Sequence, residues 1–377
     1  MKKLPSIKLR RIGCVLLSFL IFTRVGLTVF RNWQKYFSVY NFEAYKKVYE
    51  SSQYVVRQPA GWIPDEAIYS YAAGAYLRGV NPILVNPEHP PLGKYIISLF
   101  ICLFNREKLS ILVCGVLSII LFLVLTKIVL NDNFWALFAV ALLVYERLFI
   151  EQFVYIPLLD IIQLPFIFLS FIFFIKALSR SKFFFLTGLF LGAVAATKFY
   201  STACLIFVSW VLFLVLFEKD KKKIFSFFLS LPLVFLVLAA SYFRYFILGG
   251  TPRKFLGVLK WIFLFHKGKG ISFLHFWALI FLNKWRVWWG ERAFIPCVQW
   301  QVSWPISILG AILTAIFYFF KKEPFWGNLK IGVIISWTLV YLIFLSLTQV
   351  SPRYLISLLP FSHLVLVYGM GQLFKRK

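Results

Sequence analysis

Residues 88–104 read Glu-His-Pro-Pro-Leu-Gly-Lys-Tyr-Ile-Ile-Ser-Leu-Phe-Ile-Cys-Leu-Phe, a polar entry that runs without a break into an apolar segment. A residue before proline avoids the helical region, and proline itself is well suited to a helix start. Pro90-Pro91 therefore holds His89 extended and opens a helix at residue 91. Glu88, His89 and Lys94 are set at the mouth of a segment, 91–104, that reads as a membrane span.

The same change from polar to apolar recurs along the chain. Spans are expected at 12–29, 91–104, 109–129, 156–176, 183–198, 201–217, 224–246, 303–320, 331–348 and 354–373. A bilayer crossing takes roughly 17–25 apolar residues as helix. Of the 377 residues, 61% are hydrophobic and only 15% charged, against about 25% charged in an average soluble domain. An all-α polytopic membrane protein of about 10–11 transmembrane helices is expected, with further helices at its outer surface. It reads as one membrane-embedded domain, residues 1–377.

Lys and Arg number 41 against 14 Asp and Glu. With no soluble basic domain to carry nucleic acid, this excess reads as positive-inside bias and attraction to anionic membrane lipids. Lys2, Lys3, Lys8, Arg10 and Arg11 place the start of the chain in the cytoplasm. Arg106/Lys108, Arg180/Lys182, Lys219/Lys221/Lys222/Lys223, Lys321/Lys322 and Lys375-Arg376-Lys377 are assigned to the same side. The loops 30–90 and 247–302 then face outward. Residue 131 falls outside and residue 180 inside, with two apolar stretches between them, so 134–155 is expected to be a re-entrant pair on the outer side. The first apolar run, 12–23, continues through Arg24 with no small-residue cleavage site and reads as a retained helix.

The stretch 183–217 must be a hairpin whose tip, at Lys198, reaches the outer face. In the loop 247–302, Arg253, Lys254, Lys260, Lys267, Lys269, Lys284, Arg286 and Arg292 alternate with Trp261, Trp277, Trp285, Trp288 and Trp289. That pattern suits interfacial helices. The cysteines show no CxxC spacing, and no nucleotide-binding glycine loop is present.

Upstream of the opening stretch, Pro64-Asp65-Glu66 starts a helical pattern that ends before Gly79. Acids in a first turn are ordinary helix punctuation, and an ionised carboxylate there is also what a general base requires. A transporter would place charges at helix midpoints and show inverted repeats; here the charges gather at one face. A non-catalytic lipid-binding membrane protein would leave the two acidic clusters and the histidine of one loop without a task.

Asp65-Glu66 with Tyr69, then Asn81-Pro82, then His89-Pro90-Pro91-Leu92-Gly93-Lys94, resemble the membrane glycosyltransferases of the GT-C fold. The branch is that of the protein O-mannosyltransferases and lipid A aminoarabinose transferases. Asp160, the Gly192-to-Lys198 helix and Arg353-Tyr354 before Pro360 resemble further motifs of that group. The resemblance implies a GT-C-like bundle that moves a sugar, mannose among the candidates, from a polyprenyl-phosphate donor. The acceptor would be a hydroxyl of a protein, lipid or glycan, and transfer would occur at the outer face of the plasma membrane with inversion. Asp65 would be the catalytic carboxylate, with Glu66 its neighbour. Lys94, Lys198 and Arg353 would bind donor phosphate, while Tyr69, His89 and Asp160 would orient substrate. No organic cofactor is implied. Glu88 matches the metal-binding acid of the aminoarabinose branch, whereas His89 to Lys94 follows the mannosyltransferase pattern.

Overall fold

The computed structural model describes residues 7–57, 59, 62–154, 157–267, 273–287, 293–320 and 328–375. The helices are α1 (Ile7–Arg31), α2 (Trp33–Tyr36), α3 (Phe42–Glu50), α4 (Asp65–Leu77), α5 (Leu92–Phe104), α6 (Leu109–Leu130), α7 (Asn133–Tyr145), α8 (Arg147–Val154) and α9 (Leu159–Ala177). They continue as α10 (Phe184–Thr197), α11 (Ser201–Phe213), α12 (Lys221–Phe228), α13 (Leu231–Ser241), α14 (Phe243–Ile247), α15 (Pro252–Lys267) and α16 (His275–Leu282). The last three are α17 (Ser303–Phe320), α18 (Leu329–Leu347) and α19 (Leu359–Lys375). One two-stranded ribbon, β1 (Trp285–Arg286) with β2 (Phe294–Ile295), pairs antiparallel with Trp285 opposite Ile295.

Among the described residues, seven helices, or eight if the bent α7–α8 pair counts as one, are long and apolar enough to cross a bilayer. This is an integral, multi-pass membrane protein. Its centre is aromatic: Phe174 stacks on Trp210 at 4.3 Å, and Phe171, Phe227, Trp337 and Phe361 close around them. By contrast, α1 exposes Phe19, Phe22 and Phe30, as expected of a helix bathed in lipid.

Contacts between distant residues define two ends of the bundle. At one end, Arg10 bridges Asp132 at 3.1 Å, Lys330 Nζ donates to the Ile128 carbonyl, and Trp135 packs on Phe374. At the other, the Tyr40 amide donates to the Asn105 carbonyl at 2.9 Å, and the Tyr36 hydroxyl donates to the Phe153 carbonyl. Helix α5 therefore begins and ends near the second end and does not cross. Its 13 residues span only about 20 Å against a core of about 30 Å.

Two expectations are corrected by this arrangement. Segment 91–104 is not a span, and 134–155 is not a re-entrant pair on the outer side. Instead α6 descends to Asp132, which caps α7 through the Phe134 and Trp135 amides, and α7–α8 returns with a 64° bend. The charge rule misplaced Arg106 and Lys108 because both are held within the first loop. The Arg106 guanidinium lies over the Phe37 ring at 5.5 Å, and Lys108 Nζ donates to Ser38 Oγ at 3.2 Å. Among the described residues the helices long and apolar enough to cross are α1, α6, α9, α11 with the turn that continues it to Glu218, α12–α13, α17 and α18, with the bent α7–α8 pair as an eighth; α10 and α19 are shorter apolar helices. Lys269, Trp288, Trp289 and Arg292 lie outside the described residues, as do Lys2, Lys3, Lys321, Lys322, Arg376 and Lys377.

The bend is fastened by Glu146, which is 2% exposed at the junction. Trp304 Nε1 donates to its Oε2 at 2.9 Å, and His363 Nε2 stands 3.1 Å from Oε1 at ion-pair distance but without hydrogen-bond alignment. Glu146→Ala leaves a buried indole donor and imidazole without this partner. It is expected to lower stability by about 1–3 kcal/mol, with Glu146→Gln milder, as read from thermal unfolding of the purified protein.

Candidate active site

The second end gathers residues that are far apart in sequence. Pro64, extended at φ −69°, ψ 149°, starts α4, so Asp65 and Glu66 occupy its first turn. The helix stops as Gly79 turns left-handed at φ +84°. Asp65 forms an ion pair with Arg353, carried by the short 3₁₀ helix Pro352–Ser357 that precedes α19. Asp160, in the first turn of α9, pairs with Lys198 at the tip of the α10–α11 hairpin. Both members of this second pair are buried, at 5% and 7% exposure.

The two pairs form one site. Lys198 Nζ lies 5.1 Å from the Tyr354 ring centroid, next to Arg353 in sequence. Burial alone would depress Arg353, but the Asp65 and Asp160 carboxylates more than reverse this and hold it above the ordinary arginine value. Burial lowers Lys198, opposed chiefly by Asp160. His89 packs edge-on against Tyr69 at 5.8 Å. Burial, followed by the charges of Lys198, His266, Lys94 and Arg353, holds its pKa far below the usual histidine range. His89 is thus held in its neutral form. Burial also keeps the Tyr69 phenol protonated.

Gly93 lets these elements meet. A Cβ there would sit 2.8 Å from the Thr197 carbonyl oxygen and 2.7 Å from Leu159 Cδ2, jamming α5 against both the hairpin tip and the start of α9. Gly93→Ala is expected to cost about 1–3 kcal/mol by overpacking and to appear as a lower Tm in detergent.

Two expected roles take a different form here. Lys94 is fully buried, and its three protons face the Asn86 carbonyl at 2.7 Å, the His89 carbonyl at 2.8 Å and Asn86 Oδ1 at 3.3 Å. It clamps the 86–89 loop and has no free donor for phosphate. Burial lowers its pKa to about 7, with Glu88 pulling the other way. Glu88 is likewise engaged, accepting from Tyr54 Oη at 2.8 Å and from Asn86 Nδ2 at 2.7 Å. No group of three His, Cys, Asp or Glu suited to a metal occurs among the described residues. Each Glu88 oxygen thus holds one hydrogen bond, and among the described residues Glu88 belongs to no three-ligand group.

Sequence reasoning passed over His266, Tyr54 and Asn86. His266 Nε2 lies 3.1 Å from the Glu88 carbonyl oxygen and its ring 5.6 Å from His89. As one of only four histidines, it was the available signal in a loop otherwise read for its charges. Three buried polar atoms in the site have no hydrogen-bond partner among the described residues: Asp160 Oδ2, Arg353 Nε and His89 Nδ1. Two cavities flank it and share no lining residue. One, of about 250 Å³, sets Glu66, Glu151, Gln152 and Arg353 among apolar residues that include Leu148 and Leu158. The other, of about 460 Å³, is an apolar groove between α10, α11, α13 and α15, including Tyr200, Phe207, Phe235, Lys260 and Phe263.

Comparison with known proteins bears on this geometry. Residues 88–244 match the family model described as dolichyl-phosphate-mannose-protein mannosyltransferase. No curated protein matches in sequence. The structure is similar to ArnT from Cupriavidus metallidurans in the apo state, with a TM-score of 0.58 at 14% identity over 82% of this chain and 55% of ArnT. It is also similar to ArnT bound to undecaprenyl phosphate, with a TM-score of 0.61 at 12% identity over 98% of this chain and 61% of ArnT. The chain thus spans less than two thirds of ArnT, and at these identities the likeness is one of fold. That fold is the expected one, the GT-C architecture of membrane glycosyltransferases.

Proposed function

We propose that this GT-C-fold protein is a membrane glycosyltransferase that moves a sugar from a polyprenyl-phosphate carrier to an acceptor hydroxyl. The observation that carries this reading is the union of Asp65–Arg353 with Asp160–Lys198 in one site whose buried polar atoms are partly unpartnered. The apolar groove beside the Lys198 tip suits the isoprenoid tail, and the undecaprenyl phosphate of the ArnT complex supports a carrier of that class. The mannosyltransferase family model makes mannose the first sugar to test.

In the proposed step, the donor phosphate approaches Arg353 and Lys198 and competes for their ion pairs, releasing Asp65. The acceptor oxygen attacks C1 of the sugar as its proton passes to Asp65. The C1–O bond to phosphate breaks, and the lipid phosphate leaves with one more negative charge. Fixed cations aimed at that developing charge lower the barrier. One displacement inverts the anomeric centre. Glu66 supports the acceptor side, and no step runs through a metal. The site would face away from the cytoplasm, with the basic residues near the chain termini on the inner side.

Purified protein in nanodiscs, incubated with a panel of polyprenyl-phosphate sugars and short acceptors, is expected to release bare lipid phosphate in proportion to glycosylated product. Absence of release with every donor would refute the reading. Uptake of a solute into proteoliposomes without product would favour a transporter.

A further inference from the structure

The 250 Å³ cavity next to Asp65 contains polar groups that the transfer step leaves unused. Glu66, Glu151, Gln152, Trp285, Gln299 and Arg353 contribute to its wall. Gln152, on α8, is only 3% exposed, and neither Nε2 nor Oε1 has a partner among the described residues. A buried amide with both ends unsatisfied is costly, and it becomes economical only when a ligand supplies both an acceptor and a donor. A sugar hydroxyl, which donates and accepts at one oxygen, does that.

The rest of the wall narrows the ligand class. Two carboxylates, Glu66 and Glu151, face one cation, Arg353, which is already paired with Asp65. With Arg353 turned to the donor phosphate, the remaining charges, Glu66 and Glu151, disfavour an anionic ring such as a uronate while accepting hydroxyl protons. The Trp285 indole is fixed by its Nε1 bond to the Val350 carbonyl at 2.8 Å, which gives an aromatic surface of set orientation. At about 250 Å³ the cavity holds the volume of about eight waters, enough for a ring-sized group. Carboxylates, an amide and a fixed indole together suit a polyhydroxylated ring.

We propose that this cavity is the acceptor subsite and that it takes the terminal ring of an uncharged carbohydrate. The word acceptor rests on the glycosyltransferase reading; the binding of a neutral glycan does not. Glu151, Gln152, Trp285 and Gln299 are then specificity residues, none of which lines the apolar groove.

The test is calorimetric titration of the full chain in nanodiscs, without donor, against maltotriose, a trigalacturonate and a lysine-flanked Ser/Thr peptide. Maltotriose is expected to bind and the trigalacturonate not to. Gln152→Leu and Glu151→Ala are each expected to weaken maltotriose binding by about tenfold or more. Thermal unfolding checks that Gln152→Leu is folded, and the less buried Glu151 provides the second variant should it not be. Preference for the trigalacturonate or the peptide, equal maltotriose binding by wild type and Glu151→Ala, or no maltotriose binding overturns the proposal. Because no donor enters the titration, maltotriose binding without transfer would refute the enzyme reading alone. Transfer without maltotriose binding would refute the subsite alone.

Discussion

Asp65→Asn is expected to slow sugar transfer by about 10²–10⁴-fold, the usual worth of a positioned general base. The substitution keeps the shape of the side chain and an oxygen facing Arg353 but removes the proton acceptor. Glu66, the next carboxylate along α4, lines the 250 Å³ cavity and does not share the ion pair with Arg353. It is therefore a poor replacement. The loss should fall on the chemical step: initial rates with radiolabelled donor drop in folded protein, while binding of the polyprenyl phosphate is kept or tightened, because the phosphate no longer competes with the Asp65 carboxylate for Arg353. Wild-type turnover by folded Asp65→Asn protein would remove Asp65 from the mechanism.

Lys198→Met carries the second large effect, and it acts on two levels. Lys198 and Asp160 are nearly inaccessible, so removing the ammonium leaves a buried carboxylate without its counter-ion. Breaking a buried pair from one side costs about 3–5 kcal/mol. The same ammonium is a proposed phosphate ligand, and a charge-assisted hydrogen bond contributes about 1.5–3 kcal/mol. Donor affinity should fall accordingly, by about 10–100-fold. The levels separate in the double variant Lys198→Met/Asp160→Leu. An apolar pair of similar volume is often as stable as the ion pair it replaces, so thermal stability should recover while donor binding does not. Recovery of both would make the pair purely structural.

Much of this site was legible because its residues carry charge in an apolar chain. The 183–217 hairpin had to turn near Lys198, Asp65 opened a helix in the first outer loop, and Asp160 and Arg353 were pointed out by the family resemblance. The number of passes was less legible, because hydropathy does not distinguish a helix that crosses from one that lies along the surface. Helix α5 is as apolar as a span, and its position is decided by a polar contact that composition does not reveal, Tyr40 to Asn105. Lys94 and Glu88 were read for their charge, whereas their roles follow from Asn86, whose left-handed turn at φ 51° brings its amide between them. Gln152 gave no signal at all. An uncharged amide on a short helix matters only once the fold has buried it beside a cavity.

The central claim, single displacement with one carboxylate as base and cations on the leaving phosphate, is tested most directly by the anomeric configuration of the product. Proton NMR of the glycosylated acceptor, compared with the polyprenyl-phosphate sugar supplied, reads it without a variant. The mechanism predicts complete inversion at C1, with free lipid phosphate formed in equal amount. Retention of configuration would require a covalent sugar–enzyme intermediate and would contradict the assignment of Asp65.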